Sequence, residues 1–337
     1  MDFQMIWFIL IAILFIGYFI LEGFDFGVGI LMPFISKDDT DRRVVINTIG
    51  PFWDANEVWL ITAGGAMFAA FPHWYATLFS GFYIPLFLML LALILRAVGF
   101  EFRSKMPQPW WRKTFDQFIF WGSLIPAFLW GVAFTNIVQG LPIGADMNFT
   151  GNLLHILNPY AFLGGVVVVL IFVLHGALFL SLRTTDGLKE RAESIAEFLW
   201  VPIAVITALF AILGYWNTVL FEGLGLVPGS FPTLAILSFI ACFVFMKLKM
   251  QGYAFGFVAL TILMGAAVVF YGLFPNVMPS SINEAYHLTV YNASSSDLTL
   301  KIMSIVALFF VPIVLAYQGW SYYVFSKRIS RDAIPRE

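Results

Sequence analysis

The sequence predicts an all-α, polytopic integral membrane protein, and three observations support this fold class. Of its 337 residues, 61% are hydrophobic and only 11% are charged, and the mean hydropathy is +0.88, far from the values of soluble domains. Apolar segments of roughly 20 residues or more, the length that crosses a bilayer as a helix, recur along the whole chain. Charged residues collect in the connections between these segments.

About nine of these segments are long enough to be transmembrane helices. Their approximate bounds are 4–34, 51–72, 75–98, 117–139, 158–182, 197–220, 231–249, 252–274 and 300–326. The first segment is too long for the core of a signal peptide, and no Lys or Arg precedes it, so we expect it to be retained as a helix. Since no connection is long enough for a soluble domain, we expect residues 1–337 to form a single transmembrane helical domain.

The positions of Lys and Arg predict the orientation. Basic residues follow segments one, three and five, end segment seven and fill the C-terminal tail. The alternate connections contain no Lys or Arg apart from Lys301, at the start of segment nine. Because short cytoplasmic loops are enriched in basic residues, we expect the N-terminus outside and the C-terminus in the cytoplasm.

Several classes of function are disfavoured by the residues that the chain lacks. No basic surface interleaved with polar residues suggests nucleic acid. A single cysteine, Cys242, cannot form a disulfide framework or a thiolate metal site. The four histidines, His73, His155, His175 and His287, are scattered without a pair at helical spacing. We therefore expect no haem, other redox centre or metal to be held covalently or axially by this chain alone.

Two pairs of carboxylates and one arginine lie where lipid is expected. Glu22 and Asp25, in LEGFDFGVG, follow a long apolar run, and Asp54 and Glu57, in PFWDANEVW, begin the second segment. Both pairs have i, i+3 spacing, which places their members on one side of a helix. Arg96, near the inner end of the third segment, supplies a cation. Ionisable groups in the hydrocarbon usually face a protein interior and often mark proton paths.

Each of these residues also has a simpler explanation. Asp54 and Glu57 could favour the positive end of a helix dipole, and the side chain of Arg96 could extend to lipid headgroups. Two pairs and a cation at a similar depth are harder to explain separately. We interpret Glu22, Asp25, Asp54, Glu57 and Arg96 as a proton pathway or a buried polar network.

Three motifs closely resemble subunit II of the cytochrome bd-type quinol oxidases: LEGFDFGVGILMPF, NTIGPFWDANEVWLITAGGAMFAAFP and RAVGFEFRSK. The likeness continues through WGVAFTNIVQGLP, TGNLLHILNPY and FPNVMPSS, so it covers essentially the whole chain. The resemblance implies a nine-helix, haem-free subunit of the bacterial cytoplasmic membrane that scaffolds a larger subunit I. That partner would carry two b-type haems, one d-type haem and the site that oxidises quinol, and the complex would reduce dioxygen to water.

The resemblance also implies roles for individual residues. Asp25, Asp54 and Arg96 match intramembrane acids and an arginine of the family. The aspartate of the WDxNxVW pattern, Asp54 here, is associated in the family with proton delivery from the cytoplasm to the oxygen site. Glu57 matches a position where the family can carry an amide and therefore ranks below Asp54, and Glu22 matches an acidic position.

Alternatives from other classes remain open on the sequence. A proton-coupled secondary transporter would also place acids within the membrane near a helix break, and a purely structural subunit could use the polar residues to fix helix packing. A transporter should work without a haem-bearing partner, whereas an oxidase subunit should require one. The resemblance also allows for a small accessory membrane peptide, a structural quinone in this subunit, and contacts with quinol and lipid.

Overall fold

The computed structural model describes residues 2–218, 220 and 229–334; residue 219, within the predicted segment 197–220, lies outside them. The described residues contain twelve α-helices and two short strands. The helices are α1 (Phe3–Ile35), α2 (Asp39–Ile49), α3 (Trp53–Ala70), α4 (Pro72–Gly81), α5 (Tyr83–Phe102), α6 (Pro109–Gln139), α7 (Leu153–Ile156), α8 (Pro159–Arg183), α9 (Asp186–Asn217), α10 (Ser230–Lys247), α11 (Gln251–Leu273) and α12 (Asp297–Val324). The strands are β1 (Asn276–Met278) and β2 (Leu288–Thr289).

The predicted all-α, polytopic membrane fold is confirmed. Eight helices within the described residues are long and apolar enough to cross a membrane, namely α1, α5, α6, α8, α9, α10, α11 and α12. At the predicted segment 51–72 the structure has α3, whose 18 residues include Asp54 and Glu57 and are therefore less apolar. The orientation of the two termini relative to the membrane stays a prediction.

Helix bounds differ from the predicted segments in two ways. The segment 75–98 is divided between α4 and α5, because Phe82, between them, has a non-helical backbone conformation. Two helices begin well before the apolar segments that they contain. Helix α6 begins at Pro109, before the segment 117–139, and α9 begins at Asp186, before the segment 197–220. Hydropathy marks only the apolar part of a helix, whereas the helix itself continues through polar residues until a cap ends it.

Helix α1 is central and packs against α3, α6, α8 and α11. Aromatic rings surround much of its N-terminal half: the Phe15 ring lies 5.6 Å from both Trp130 and Phe134 and 6.2 Å from Phe270, centroid to centroid. Such rings bury large apolar areas and favour tilted or edge contacts. They hold α1, α6 and α11 together, and the Trp130 indole also donates a hydrogen bond of 3.3 Å to the Tyr18 hydroxyl.

Farther along α1, glycines bring two backbones into contact. A Cβ added to Gly27 would lie 1.9 Å from the carbonyl oxygen of Phe172, and one added to Gly176 would lie 2.4 Å from the carbonyl carbon of Gly27. Only hydrogen fits at this crossing of α1 and α8. The close approach fixes the part of α1 that carries Glu22 and Asp25.

The connections gather on two opposite faces in the alternation that the basic residues predict. On the face with basic connections, Asp39 pairs with Arg103 at 2.7 Å, and Asp41 pairs with Arg191 at 2.6 Å and with Arg331 of the tail at 2.5 Å. On the other face, Leu141 bridges Ser280, and strands β1 and β2 pair antiparallel. Each face thus joins distant parts of the chain.

Candidate buried polar site

Two carboxylates are buried in the middle of the bundle. Glu22 and Asp25 both lie on α1 and have no exposed surface. They are one helical turn apart and directly precede Gly27, where α1 meets α8. The packing of α1 therefore leaves both acids without access to bulk water.

Arg96 of α5 is the cation of this site, and it is also completely buried. Its Nη1 donates to Glu22 Oε1 and lies 3.6 Å from Oε2 of Glu57 on α3. The guanidinium carbon is 4.8 Å from the ring centre of Phe26 and 5.2 Å from that of Phe100. We call Glu22, Arg96 and Glu57 the acid–arginine cluster. It joins α1, α3 and α5 by charge.

Asp25 has a different partner, which the sequence analysis missed. Its Oδ2 accepts a hydrogen bond of 2.7 Å from Nδ2 of Asn56, a fully buried residue of α3. Oδ1 of Asn56 in turn accepts from Gln318 at 3.2 Å and from the Tyr322 hydroxyl at 2.7 Å, both on α12. The sequence feature that could have identified Asn56 is its position between Asp54 and Glu57 in WDANEVW.

Asp54 belongs neither to the acid–arginine cluster nor to the hydrogen bonds around Asp25. It is exposed, in the first turn of α3, and the described residues give it no hydrogen bond or ion pair. At 100° per residue, Asp54 is about 160° from Asn56 around α3 and therefore faces away from Asp25. Glu57 is only about 60° from Asp54 around the helix, but it lies one turn farther along, where Arg96 of α5 is within 3.6 Å. The structure thus brings Glu22, Glu57 and Arg96 together, pairs Asp25 with Asn56, and directs Asp54 to the outside of this chain.

Several atoms of the site retain hydrogen-bonding capacity. Within the described residues, five buried atoms have no hydrogen-bond partner: Glu22 Oε2, Asp25 Oδ1, Glu57 Oε2, Arg96 Nε and Arg96 Nη2. Buried polar atoms in proteins are nearly always hydrogen-bonded to protein or to ordered water. Carboxylate oxygens in this state are suited to accept a water molecule or a proton.

His175, the one histidine that is buried among the described residues, already uses its Nε2 in a hydrogen bond, so this nitrogen is not free to bind a haem iron. His175 is fully buried, and its Nε2 donates to the Ile20 carbonyl at 3.0 Å. Its ring stacks on that of Phe255, with a centroid distance of 4.5 Å and an angle of 11°. Among the described residues, no group of three or more His, Cys, Asp or Glu side chains could hold a metal ion.

Comparisons with known proteins agree on one family. The family model for cytochrome bd terminal oxidase subunit II matches residues 3–325. The chain is 48% identical over 325 residues to cytochrome bd ubiquinol oxidase subunit 2 of Bacillus subtilis, covering 96% of each chain. It is 37% identical over 369 residues to cytochrome bd-I ubiquinol oxidase subunit 2 of Escherichia coli K12, covering 99% of this chain and 97% of the relative.

A solved structure shows the same fold. A chain of the bd oxidase from Geobacillus thermodenitrificans superposes with a TM-score of 0.76 at 17% sequence identity, covering 96% of this chain and 97% of that one. At this identity the likeness concerns the arrangement of helices. The helix bundle described above is therefore an arrangement already seen in a bd oxidase.

Proposed function

This chain belongs to the cytochrome bd terminal oxidase subunit II family, and on that basis we propose that it is the haem-free subunit of a complex that oxidises quinol and reduces dioxygen to water. It is a multi-pass protein of the bacterial cytoplasmic membrane. Family membership favours the oxidase over the proton-coupled secondary transporter. The two b-type haems, the d-type haem and the quinol site are assigned to subunit I.

One part of the proposed role is to scaffold subunit I. Helix α12 supports this, because only 6% of the residues in its most apolar stretch are buried within the described chain. Leu308, Phe309 and Ile313 are 73%, 66% and 65% exposed, and added Cβ atoms at Gly64 and Gly65 of α3 would meet nothing within 4 Å. A large apolar face next to small residues suits a membrane partner helix. Lipid covers the apolar surface that subunit I leaves free.

The second part is proton delivery from the cytoplasm. The observation that carries it is the burial of Glu22, Asp25 and Arg96 between apolar helices, with carboxylate oxygens that have no partner. Ionisable groups at such a depth are costly to bury and are retained mainly for transport of ions or protons. Arg96 offsets the negative charge of Glu22 and Glu57, so that the cluster can hold carboxylates in a medium of low polarity.

In this mechanism the carboxylates hold and pass protons while the arginine stays charged. A proton reaches a free carboxylate oxygen of the acid–arginine cluster or of Asp25 and leaves it toward subunit I, so each carboxylate is unchanged after a transfer. Asp54, exposed at the start of α3, is placed in the path as the acid that faces outward from this chain toward the partner. The haems of subunit I carry the redox chemistry.

The first test is a spectrum of the complex, purified from native membranes through a tag on this chain. Its reduced-minus-oxidised absorbance should show b- and d-type haem. Asp25→Asn and Asp54→Asn should keep these bands but lower oxygen consumption by about tenfold or more, the effect of roughly 1.4 kcal/mol on a barrier. Asp332→Asn, an exposed position in the C-terminal tail, is the matched control.

The outcomes separate the two parts of the proposal. A preparation that is folded and lacks haem bands would contradict the oxidase role. Full turnover with normal haem content in either aspartate variant would remove that residue from the proton path. Loss of the haem bands in a variant would assign its residue to the scaffold instead.

A further inference from the structure

Asn56 connects a buried acid to a helix that otherwise scarcely touches the chain. Its Nδ2 donates to Asp25 Oδ2 at 2.7 Å and to the Leu21 carbonyl at 3.3 Å. Its Oδ1 accepts from Gln318 at 3.2 Å and from Tyr322 at 2.7 Å. An amide side chain has two N–H donors and one acceptor oxygen with two lone pairs. All of this capacity is used, so the orientation of the amide is fully determined.

The two α12 partners of Asn56 are themselves held in place. Gln318 Oε1 accepts from Trp59 Nε1 at 2.9 Å, which fixes which end of its amide faces Asn56. The Tyr322 ring stacks on Phe52, with centroids 4.4 Å apart and planes within 3°. The chain from Trp59 to Asp25 is therefore a sequence of directed hydrogen bonds.

Helix α12 depends on these contacts for its position. Of its residues, Leu300 and Gln318 alone are buried within the described chain. At the opposite end, Trp7 Nε1 donates to the Leu300 carbonyl and to Ser304 Oγ, both at 3.0 Å. The middle of the helix is exposed. Polar side chains near its ends thus fix α12 against α1 and α3.

The same bonds divide the two oxygens of Asp25. Oδ2 is occupied by the Asn56 amide, whereas Oδ1 is buried and has no partner among the described residues. Asn56, Gln318 and Trp59 have no proton to give up at neutral pH. Their contribution to proton transfer can therefore only be geometric.

We propose that Asn56, Gln318 and Tyr322 are positioning residues that hold the Asp25 carboxylate so that Oδ1 is the atom that takes up and releases the proton. This inference rests on the proposed function, in which Asp25 passes protons. The proton arrives at Oδ1 and leaves from Oδ1, and the hydrogen bond to Oδ2 is kept throughout. Helix α12, the helix most open to subunit I, then sets the geometry of a proton-carrying group.

Tyr322→Phe tests the proposal with the smallest change. It removes one hydroxyl and its hydrogen bond to Asn56 and keeps the ring that stacks on Phe52. In the purified complex, we expect turnover roughly fivefold lower, as for the loss of one hydrogen bond of ordinary net strength, with unchanged haem bands. The solvent deuterium isotope effect on turnover should rise, because proton delivery becomes the slower step.

Two further variants complete the design. Gln318→Met removes the second donor to Asn56 Oδ1 at similar volume. We expect a smaller fall in turnover and a smaller rise in the solvent deuterium isotope effect than for Tyr322→Phe. Tyr253→Phe is the matched control: it removes a tyrosine hydroxyl on α11, away from the helix proposed to face subunit I, on a side chain that is 59% exposed. It should leave turnover and isotope effect as in the unmodified complex.

Every outcome decides the proposal. Wild-type turnover and isotope effect in Tyr322→Phe and Gln318→Met, with an inactive Asp25→Asn, would overturn the positioning role and leave the proposed proton path intact. A fully active Asp25→Asn would instead remove the path itself. Lower turnover with an unchanged isotope effect, or loss of haem, would show a purely structural role and would also overturn the inference.

Discussion

Arg96 is the residue on which the energetics of the buried site depend. Its side chain is completely buried, paired with the equally buried Glu22 and 3.6 Å from Glu57. Taking such charges out of water costs several kcal/mol per ion, and their mutual attraction offsets this only while both partners are present. Each charge of the Glu22–Arg96 pair can therefore stay buried only while the opposite charge is present.

This reasoning predicts that Glu22→Gln destabilises the protein more than loss of the whole pair. The single variant leaves Arg96 buried with Glu57 as its nearest carboxylate, at a cost of roughly 3–5 kcal/mol, whereas replacing both charges by neutral groups is often close to neutral. We expect a lower melting temperature in detergent for Glu22→Gln and recovery in Glu22→Gln/Arg96→Met.

Turnover provides the complementary measurement. If the acid–arginine cluster carries protons, the double variant should recover thermal stability but not oxygen consumption. Recovery of both stability and oxygen consumption would show that the cluster serves helix packing only. Asp54→Asn, at an exposed position, serves as the control and should leave the melting temperature unchanged.

At the scale of elements, the crossing of α1 and α8 decides where the acids of α1 lie. The sequence contains small residues at helical spacing in both of the first two apolar segments, Gly23 and Gly27 in one and Gly65 and Ala69 in the other. In the described chain the first pair makes close contact with α8, whereas an added Cβ at Gly65 would meet nothing within 4 Å. Spacing alone does not distinguish an internal crossing from a face open to a partner.

Gly27→Ala is therefore predicted to force α1 and α8 apart. The added Cβ would lie 1.9 Å from a backbone oxygen that no rotamer change can move, and overpacking of this kind costs about 1–3 kcal/mol or more. The expected result is a lower melting temperature and a lower yield of haem-containing complex. Gly265→Ala in α11, where a Cβ meets nothing within 4 Å, is the control, and equal stability of the two variants would contradict the prediction.

At the scale of the whole molecule, the C-terminal tail links the basic face. Arg331 contacts Asp38 at 2.6 Å and Asp41 at 2.5 Å, and the Ile329 amide donates to the Arg183 carbonyl at 2.8 Å. The Arg331 guanidinium, with the backbone amide of Asp41, holds the pKa of the Asp38 carboxyl below its usual range. The tail therefore joins α2 to the end of α8.

The lowered pKa of Asp38 gives this attachment a pH dependence of defined sign. A carboxyl whose pKa is lower in the folded state stabilises that state above its unfolded pKa of about 4 and loses this contribution as the pH falls through the folded value. Arg331→Ala should speed amide hydrogen exchange in residues 326–334 at neutral pH. The difference from the unmodified protein should shrink below about pH 4.

Arg328→Ala supplies the control for the tail, because Arg328 is exposed and has no ion pair within the described residues. It should exchange as the unmodified protein does. An Arg331→Ala effect of equal size at neutral and at acidic pH would show that Asp38 contributes nothing to the attachment.

The sequence by itself determined the class of the fold and the family, and it singled out the charged residues that interrupt the apolar segments. These follow from length, hydropathy and motif, which are properties of the chain read in order. Only the tertiary structure decided the partners within that set: Glu22 with Arg96 and Glu57, Asp25 with Asn56, and Asp54 facing outward. The physical reason is the position of each residue around and along α3. A turn of 100° per residue places Asn56 almost opposite Asp54, whereas Glu57 is close to Asp54 in direction but one turn farther along, and the packing of α1, α5 and α12 selects which of these positions are buried.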